Sequence, residues 1–187
     1  MYGRIHRNLA RLGFGSENLI IQPSVQILLV TLLGLQTIGD KSTLTPSECE
    51  LLEITQRATR VAGLPSEIVQ GERVLVHVDR EEMEKVVINL LVNAMESGSA
   101  MEALEVQVGN ASQPYFRVID KGCGMTNEFI SENLFKPFKS TKQKGFGIGL
   151  YQCRQIVEAH KGWIDVHSAL GEGTTFTVWL PKAVHES

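Results

Sequence analysis

The clearest pattern of apolar and polar positions extends over residues 80–97. Apolar side chains recur there every three or four residues, which places them on one face of a helix. Asp79, just before this segment, is a residue type that caps helix N-termini, and Glu82 has the reciprocal position of a capping box. The pattern predicts an amphipathic helix with an apolar stripe of Met83, Val86, Val87, Leu90, Leu91, Ala94 and Met95.

Helical and strand-like patterns alternate along the rest of the chain. The segment 45–48 has the form of a capping box, with proline at the first helical position, and predicts a helix ending near Gly63. We expect strands over 74–78, 105–108, 115–120, 163–168 and 174–180, a short helix over 127–133 and a longer helix over 148–160. Helices alternating with strands that pair as neighbours indicate a two-layer α/β sandwich.

The composition permits a sizeable core, because 43% of the 187 residues are apolar and 21% are charged. The net charge of -3 argues against general nucleic-acid binding and gives no reason to expect contact with an anionic membrane. Cys49, Cys123 and Cys153 include no CxxC pair, and the histidines lack the spacing of metal ligands. We therefore expect reduced thiols in a cytoplasmic protein and no zinc site.

The chain divides near residue 42, into an N-terminal segment over 1–42 and a main domain over 43–184. Residues 1–15 are polar and basic and lack the apolar centre of a secretory signal. The segment 19–38 is apolar but contains Pro23, Gly34 and three glutamines. These interruptions favour a packed or dimerising helix over 24–38 rather than a membrane span, which needs about 20 mostly apolar residues.

Two asparagines on the polar side of the predicted helix are the first candidates for chemistry. Asn89 and Asn93 lie one turn apart, in line with Lys85 and Glu96. An unpartnered buried amide costs about 1–3 kcal/mol, so a ligand or a protein group should satisfy each one. An amide oxygen is a hard, neutral ligand that suits a Mg2+ ion already carrying phosphate oxygens. Two solvated or helix-capping amides would produce the same pattern.

Glycines are concentrated in the second half of the chain, where eight of the 17 lie between Gly122 and Gly173. Asp120 ends a predicted strand, and Gly122 and Gly124 follow it. The carboxylate could accept a hydrogen bond from an exocyclic amine such as adenine N6, while the two glycines would let a base lie against the backbone. The same residues would also form an ordinary Asx turn.

A second run of glycines leads into the helix predicted over 148–160. Gly145, Gly147 and Gly149 alternate with other residues there. Backbone N–H groups at the start of a helix can hold anionic oxygens, so the run could bind phosphate. Its spacing is neither that of the Rossmann fingerprint nor that of a Walker loop.

Taken together, these motifs resemble those of the GHKL superfamily of ATPases and kinases, and within it the histidine kinases. The matching segments are an N box at 89–94, a first glycine box at 120–124, an F box at 135–138, a second glycine box at 145–150 and a last glycine motif at 171–174. The resemblance covers about 43–181. It implies the Bergerat fold, an α/β two-layer sandwich with a mixed, mostly antiparallel sheet covered on one face by helices.

The resemblance also implies roles for individual residues around ATP and Mg2+. Asn93 would coordinate Mg2+, assisted by Asn89. Asp120 would recognise adenine N6, with Gly124 and Thr174 beside the base.

A mobile lid over the phosphates would extend over 135–147, with Lys142 touching them. The second glycine box would contribute backbone contacts where the lid meets its helix, through Gly145, Gly147, Gly149 and Leu150. Many histidine kinases have a basic residue three or four positions after the second asparagine of the N box. Here those positions hold Glu96 and Ser97, so we assign no phosphate contact to this helix.

The implied function is that of the catalytic domain of a two-component sensor histidine kinase. It would bind Mg-ATP and transfer the γ-phosphoryl group to a histidine on a dimerisation domain, in cis or in trans, with a response regulator receiver domain as a further partner. His6 lacks the acidic neighbour of an acceptor box, and we expect a solvated histidine there rather than the phosphoacceptor. The segment 1–42 remains open as a truncated dimerisation hairpin, a linker or a partner surface.

Two alternatives belong to other functional classes. A nucleotide-binding regulatory module or pseudokinase would bind ATP without phosphotransfer. An ATPase clamp of the same superfamily would have a glutamate as general base where this chain has Asn89, and a neutral amide cannot take the proton. The expected location is cytoplasmic, either for a free protein or for the cytoplasmic part of a membrane-bound sensor.

Overall fold

The computed structural model describes residues 44–139 and 147–183. The helix predicted over 24–38, His6, Lys142 and Gly145 all lie outside these residues. The division between 1–42 and 43–184 stays a prediction. Over the described ranges, no helix has the length and apolar content that crossing a membrane requires.

The described ranges contain four α-helices and seven β-strands. The helices are α1 (Leu51–Val61), α2 (Arg80–Glu96), α3 (Asn127–Glu132) and α4 (Gly149–Ala159). The strands are β1 (Ser47–Glu50), β2 (Val69–Gly71), β3 (Leu75–Val78), β4 (Glu105–Asn110), β5 (Pro114–Asp120), β6 (Trp163–Ala169) and β7 (Gly173–Trp179).

Five strands form one sheet in the order β2-β4-β5-β7-β6. The β2–β4 pair is parallel, and the other neighbouring pairs are antiparallel. Strands β1 and β3 form a separate antiparallel pair. The main sheet is therefore mixed and mostly antiparallel, which confirms the predicted fold class.

The helical layer is centred on α2, which packs against both α1 and α4 and against β5. Six of the seven residues predicted for its apolar stripe are buried, and Met95 is half-buried. On β5, burial alternates along the strand, and Phe116 and Val118 are buried in the core. Each fully buried apolar side chain contributes roughly 1.5–3 kcal/mol, so this packing holds α2 firmly against the sheet.

The helix predicted from the capping box at 45–48 starts later than expected. Strand β1 occupies this position and pairs with β3, with Ser47 opposite Val78. Helix α1 begins only at Leu51, and its N-cap residue Glu50 makes no side-chain cap. Pairing with β3 buries Cys49 and satisfies the backbone of this segment, which outweighs the local capping signal.

Asp79 caps α2 as predicted, and its Oδ1 accepts hydrogen bonds from the backbone N–H groups of Glu81 and Glu82. The reciprocal bond from Glu82 was predicted wrongly, because the Glu82 carboxylate pairs with Lys85. The backbone N–H of Asp79 instead donates to His160 Nε2, at the end of α4, over 2.9 Å. The N and Oγ1 of Thr45 both donate to Asp79 Oδ2, so Asp79 joins the start of the described chain to α2 and α4.

The hairpin between β4 and β5 differs in detail from its prediction. The strand predicted over 105–108 extends further, because Gly109 and Asn110 continue β4 and Asn110 pairs with Pro114. Gly109 is opposite Tyr115, where a Cβ would come within 2.6 Å of the tyrosine hydroxyl. This close approach, rather than a turn, explains glycine at that position.

Candidate nucleotide site

The sheet register brings two predicted site residues together. Asp120, at the end of β5, is opposite Thr174, at the start of β7. Both are buried, and the Thr174 Oγ1 is 2.9 Å from the Ser168 Oγ on β6. The carboxylate and the hydroxyl therefore occupy one end of the sheet, beside the C-terminal end of α2.

The Asp120 carboxylate has a defined orientation. Its Oδ1 accepts hydrogen bonds from the Gly122 backbone N–H at 2.8 Å and from the Ser97 Oγ at 3.0 Å. The first of these is the local bond of an Asx turn. Neither of these two bonds uses Oδ2.

Three glycines near Asp120 are required by the packing of the protein itself. A Cβ on Gly122 would lie 1.9 Å from the Ser97 Oγ, and one on Gly124 would lie 1.9 Å from the Ala169 carbonyl oxygen. Gly173 has φ 97°, and a Cβ there would meet the Asp120 carbonyl oxygen at 2.1 Å. The loop after β5 and the start of β7 can therefore pack this closely only with glycine at these three positions.

Asn89 and Asn93 are half-buried on α2, one turn apart. The Asn89 Oδ1 would lie 3.7 Å from a Cβ on Gly149, in the first turn of α4. The Asn89 amide also lies near the Cys153 thiol, one turn further along α4. The structure thus brings Asn89 together with the start of α4, as the predicted phosphate end of the site requires.

The cysteines near the site are free thiols. Burial raises the pKa of Cys153 to about 12, and the nearby Asn89 amide opposes this shift only in part. Cys153 is therefore a neutral packing residue. Cys123 is exposed in the loop after Asp120.

Within the described part of the predicted lid, Phe138 and Gly147 are joined by a backbone hydrogen bond. The Phe138 N–H donates to the Gly147 carbonyl oxygen over 3.0 Å. Gly147 has φ 65°, and a Cβ there would lie 2.5 Å from the Lys139 carbonyl oxygen, so this junction needs glycine. Phe138 also has a positive φ, of 63°, and its side chain is 75% exposed.

The start of α4 has the features of an anion site. Ile148 occupies the N-cap position and provides no side-chain cap, and Gly149 and Leu150 are the first helical residues. Backbone N–H groups at the start of a helix and the positive end of the helix dipole both favour phosphate oxygens.

The donor set fits a metal ion that arrives with its nucleotide. In the ranges 44–139 and 147–183, no group of three or more acidic, histidine or cysteine residues could hold a metal. The half-buried amides Asn89 and Asn93 are neutral oxygen donors, and Mg2+ typically takes only one or two protein ligands beside substrate phosphates. The residues present are thus compatible with Mg2+ bound jointly with a triphosphate.

Sequence reasoning missed one short segment that supports the site. Ser97 and Ser99, directly after α2, hold the loop that follows Asp120. The Ser97 carbonyl accepts from the Cys123 N–H over 2.9 Å, and the Ser99 Oγ accepts from the Lys121 N–H over 3.0 Å. No local pattern in the sequence marks these contacts, which join residues more than 20 positions apart.

The fold and the site define a nucleotide-binding α/β domain. Residues 78–184, more than half of the chain, match the family described as Histidine kinase-, DNA gyrase B-, and HSP90-like ATPase. The chain belongs to this family, which confirms the resemblance found in its motifs.

Proteins of similar sequence include sensor kinases. The chain is similar to the signal transduction histidine-protein kinase AtoS of Escherichia coli K12, at 33% identity over 138 residues, which are 70% of this chain and 22% of AtoS. The C4-dicarboxylate transport sensor protein DctS of Rhodobacter capsulatus is 35% identical over 138 residues, 71% of this chain and 21% of DctS. The chain thus spans about a fifth of these relatives.

Among solved structures, the catalytic domain of the histidine kinase ThkA superposes with a TM-score of 0.61 at 26% identity. The superposition covers 74% of this chain and 96% of the ThkA domain. The chain therefore contains an ATPase domain of the histidine kinase type.

Proposed function

We propose that this domain binds Mg-ATP and transfers the γ-phosphoryl group to a histidine on a dimerisation domain. The observation that carries the proposal is the oriented Asp120 carboxylate, buried beside Thr174 at the end of the sheet. The amide side chains of α2 and the start of α4, which lies close to Asn89, would provide the phosphate end of the same site. Together these groups match the three parts of a metal-bound nucleotide.

The base would bind at the end of the sheet. Asp120 Oδ2 would accept a hydrogen bond from adenine N6, since Oδ1 is already taken by Gly122 and Ser97. Gly122, Gly124 and Thr174 would line the space beside the ring.

The triphosphate would lie between α2 and α4. Asn93, assisted by Asn89, would hold Mg2+, which on binding neutralises charge on the phosphate oxygens. Gly147, Gly149 and Leu150 would offer backbone groups to the phosphates at the helix start.

The lid is proposed to complete this phosphate site. Lys142 and Gly145, outside the described residues, would contact the phosphates from the lid.

The phosphoacceptor is proposed to come from another domain. Phosphoryl transfer depends mainly on positioning and charge neutralisation, so the ATP domain need not provide a covalent nucleophile. The acceptor histidine would be in a dimerisation domain in cis or in trans, and a response regulator receiver domain would take the phosphoryl group afterwards. Residues 43–184 would form the catalytic domain and 1–42 a separate segment, whether a truncated hairpin, a linker or a partner surface.

The adenine contact predicts a change of base selectivity in Asp120→Asn. Gly122 N–H and the Ser97 hydroxyl would keep the amide oxygen at the Oδ1 position, so the amide NH2 would point at the base. This group repels the adenine amine and suits the C6 carbonyl of hypoxanthine. We expect the preference for ADP over IDP, measured as the ratio of dissociation constants by calorimetry with Mg2+, to fall about tenfold.

Asp165→Asn is the matched control, because Asp165 accepts from Trp163 and Trp179 and lies away from the site. Its ratio should equal that of the wild type. An unchanged ratio in Asp120→Asn would count against adenine recognition by this carboxylate.

Phosphotransfer itself is tested with γ-labelled ATP. The full chain is incubated alone and with a supplied histidine-bearing dimerisation hairpin, and acid-labile label is followed on both proteins. We expect label on the hairpin histidine and none on a hairpin in which that histidine is alanine. Nucleotide binding without label on either protein would instead indicate a regulatory module, the second functional class that the motifs permit.

A further inference from the structure

The hydroxyl of Ser97 makes no direct contact with the nucleotide in the site proposed above, but it touches the central carboxylate of that site. Its Oγ is 2.7 Å from the Ala94 carbonyl oxygen and 3.0 Å from Asp120 Oδ1. A hydroxyl has only one proton to donate. Ser97 is therefore either a local cap of α2 or a donor to Asp120.

Electrostatics favour donation to Asp120. Hydrogen bonds to an ionised acceptor are roughly twice as strong as neutral ones. If the proton faced the Ala94 carbonyl, the lone pairs of the hydroxyl would face a negatively charged oxygen at 3.0 Å. The Ala94 carbonyl has a second donor, the Ser97 backbone N–H, at 3.4 Å.

The surrounding packing holds the hydroxyl in place. The loop after β5 passes so close to Ser97 that a Cβ on Gly122 would overlap its Oγ. The Ser97 carbonyl accepts from Cys123, and Ser99 accepts from Lys121, so the same short segment holds the loop on both sides of Gly122. The hydroxyl is thus enclosed between the end of α2 and the loop.

We propose that Ser97 is a positioning residue that sets base selectivity through Asp120. Together with the Gly122 N–H, its hydroxyl occupies Oδ1 and leaves Oδ2 as the acceptor that faces the base. Without it, the carboxylate could rotate and share its oxygens between the loop and the base. The inference rests on the proposed adenine contact of Asp120.

The test compares Ser97→Ala with the wild-type chain in calorimetric titrations with ADP and with IDP, both in the presence of Mg2+. IDP has a carbonyl in place of the amine at C6 and a protonated N1 in place of the acceptor N1, so the ratio of the two dissociation constants reports on recognition of the edge of the base that Asp120 is proposed to contact. We expect this ratio to fall about fivefold in Ser97→Ala, less than in Asp120→Asn, because Ser97 acts through that carboxylate.

Two further variants separate positioning from simple stability. Ser99→Ala removes the neighbouring bond to Lys121 without touching Asp120, and its ratio should stay at the wild-type value. Ser97→Cys keeps the size of the side chain but donates weakly, so its ratio should lie between those of wild type and alanine. Thermal melting confirms which variants are folded, and Ser97→Cys replaces Ser97→Ala if the latter is not.

Each outcome has a distinct meaning. A wild-type ratio in folded Ser97→Ala or Ser97→Cys, with wild type preferring ADP, would overturn the role of Ser97 and leave the Asp120 contact standing. An equal fall in Ser99→Ala would also overturn it, because loop stability would then explain the effect. Absence of any ADP preference in the wild-type chain would refute the Asp120 contact and the inference together.

Discussion

Replacing Asn93 with alanine is expected to weaken ATP binding about a hundredfold in the presence of Mg2+ and only slightly in excess chelator. The residue is half-buried on α2, one turn beyond Asn89. Its neutral amide could hold Mg2+ without a neighbouring acidic side chain, because the phosphates supply the negative charge that the metal requires. Removing a neutral oxygen ligand should therefore remove the contribution of the metal while leaving the base contact intact. Calorimetric titration with ATP, with Mg2+ and then with chelator, measures the two contributions separately.

Asn110→Ala is the matched control for this variant. Asn110 is exposed and pairs with Pro114, at the opposite end of β5 from Asp120. Its ATP affinity should equal that of the wild type under both conditions. If Mg2+ increased the ATP affinity of Asn93→Ala as much as it increases that of the wild type, another group would have to hold the metal.

The largest effect on stability is expected from Asp79→Ala, at about 3 kcal/mol in the free energy of unfolding. Loss of an N-cap typically costs about 0.5–2 kcal/mol. The variant also removes the acceptor for the backbone N–H and hydroxyl of Thr45, each bond contributing about 1 kcal/mol. Urea denaturation at neutral pH measures the difference.

Asp165→Ala is the control for the removal of an aspartate side chain that accepts hydrogen bonds elsewhere in the domain. This residue accepts hydrogen bonds from two indole N–H groups on an exposed part of the sheet, and we expect a loss below about 1 kcal/mol. Equal losses in Asp79→Ala and Asp165→Ala would contradict the joining role assigned to Asp79.

The same variant should show a defined dependence on pH. Burial raises the pKa of Asp79, but the hydrogen bonds from Thr45, Glu82 and Glu81 together lower it by a larger amount. The net pKa is therefore below the ordinary 3.8. A carboxyl with a depressed pKa in the folded state stabilises the protein above its unfolded pKa and loses this contribution as the pH falls through its folded pKa. The difference between wild type and Asp79→Ala should therefore be constant from about pH 7 to 5 and shrink at lower pH. A difference that persists unchanged into this acid range would disprove the role of the charge.

Local signals predicted much of the framework that holds the site. The apolar stripe of α2 and its Asp79 cap follow from residues within a few positions of one another. The strands β5 and β7 likewise follow from alternation along short segments. Because periodicity and capping depend on near neighbours, these elements could be predicted without knowing what they pack against.

The candidate site, too, could be predicted only in part from the sequence. The order of its motifs identified the family, and the resemblance to that family predicted Asp120, Asn89 and Asn93 as site residues. The register between β5 and β7, which puts Asp120 opposite Thr174, required the folded sheet. So did the contact of Ser97 with Asp120, since these residues are 23 positions apart.

Local sequence patterns were enough to predict the helix that carries the amides, the carboxylate at the end of its strand and the family to which the chain belongs. That 47–50 form a strand depends on long-range contacts, because pairing with β3 outweighs a local capping signal. The tertiary structure also decided that His160 rather than Glu82 satisfies the Asp79 N–H, and that β2 joins the sheet as a short parallel strand. In each case the decisive partner is distant in sequence, and hydrogen-bonding and packing requirements of the folded chain select it over the local alternative.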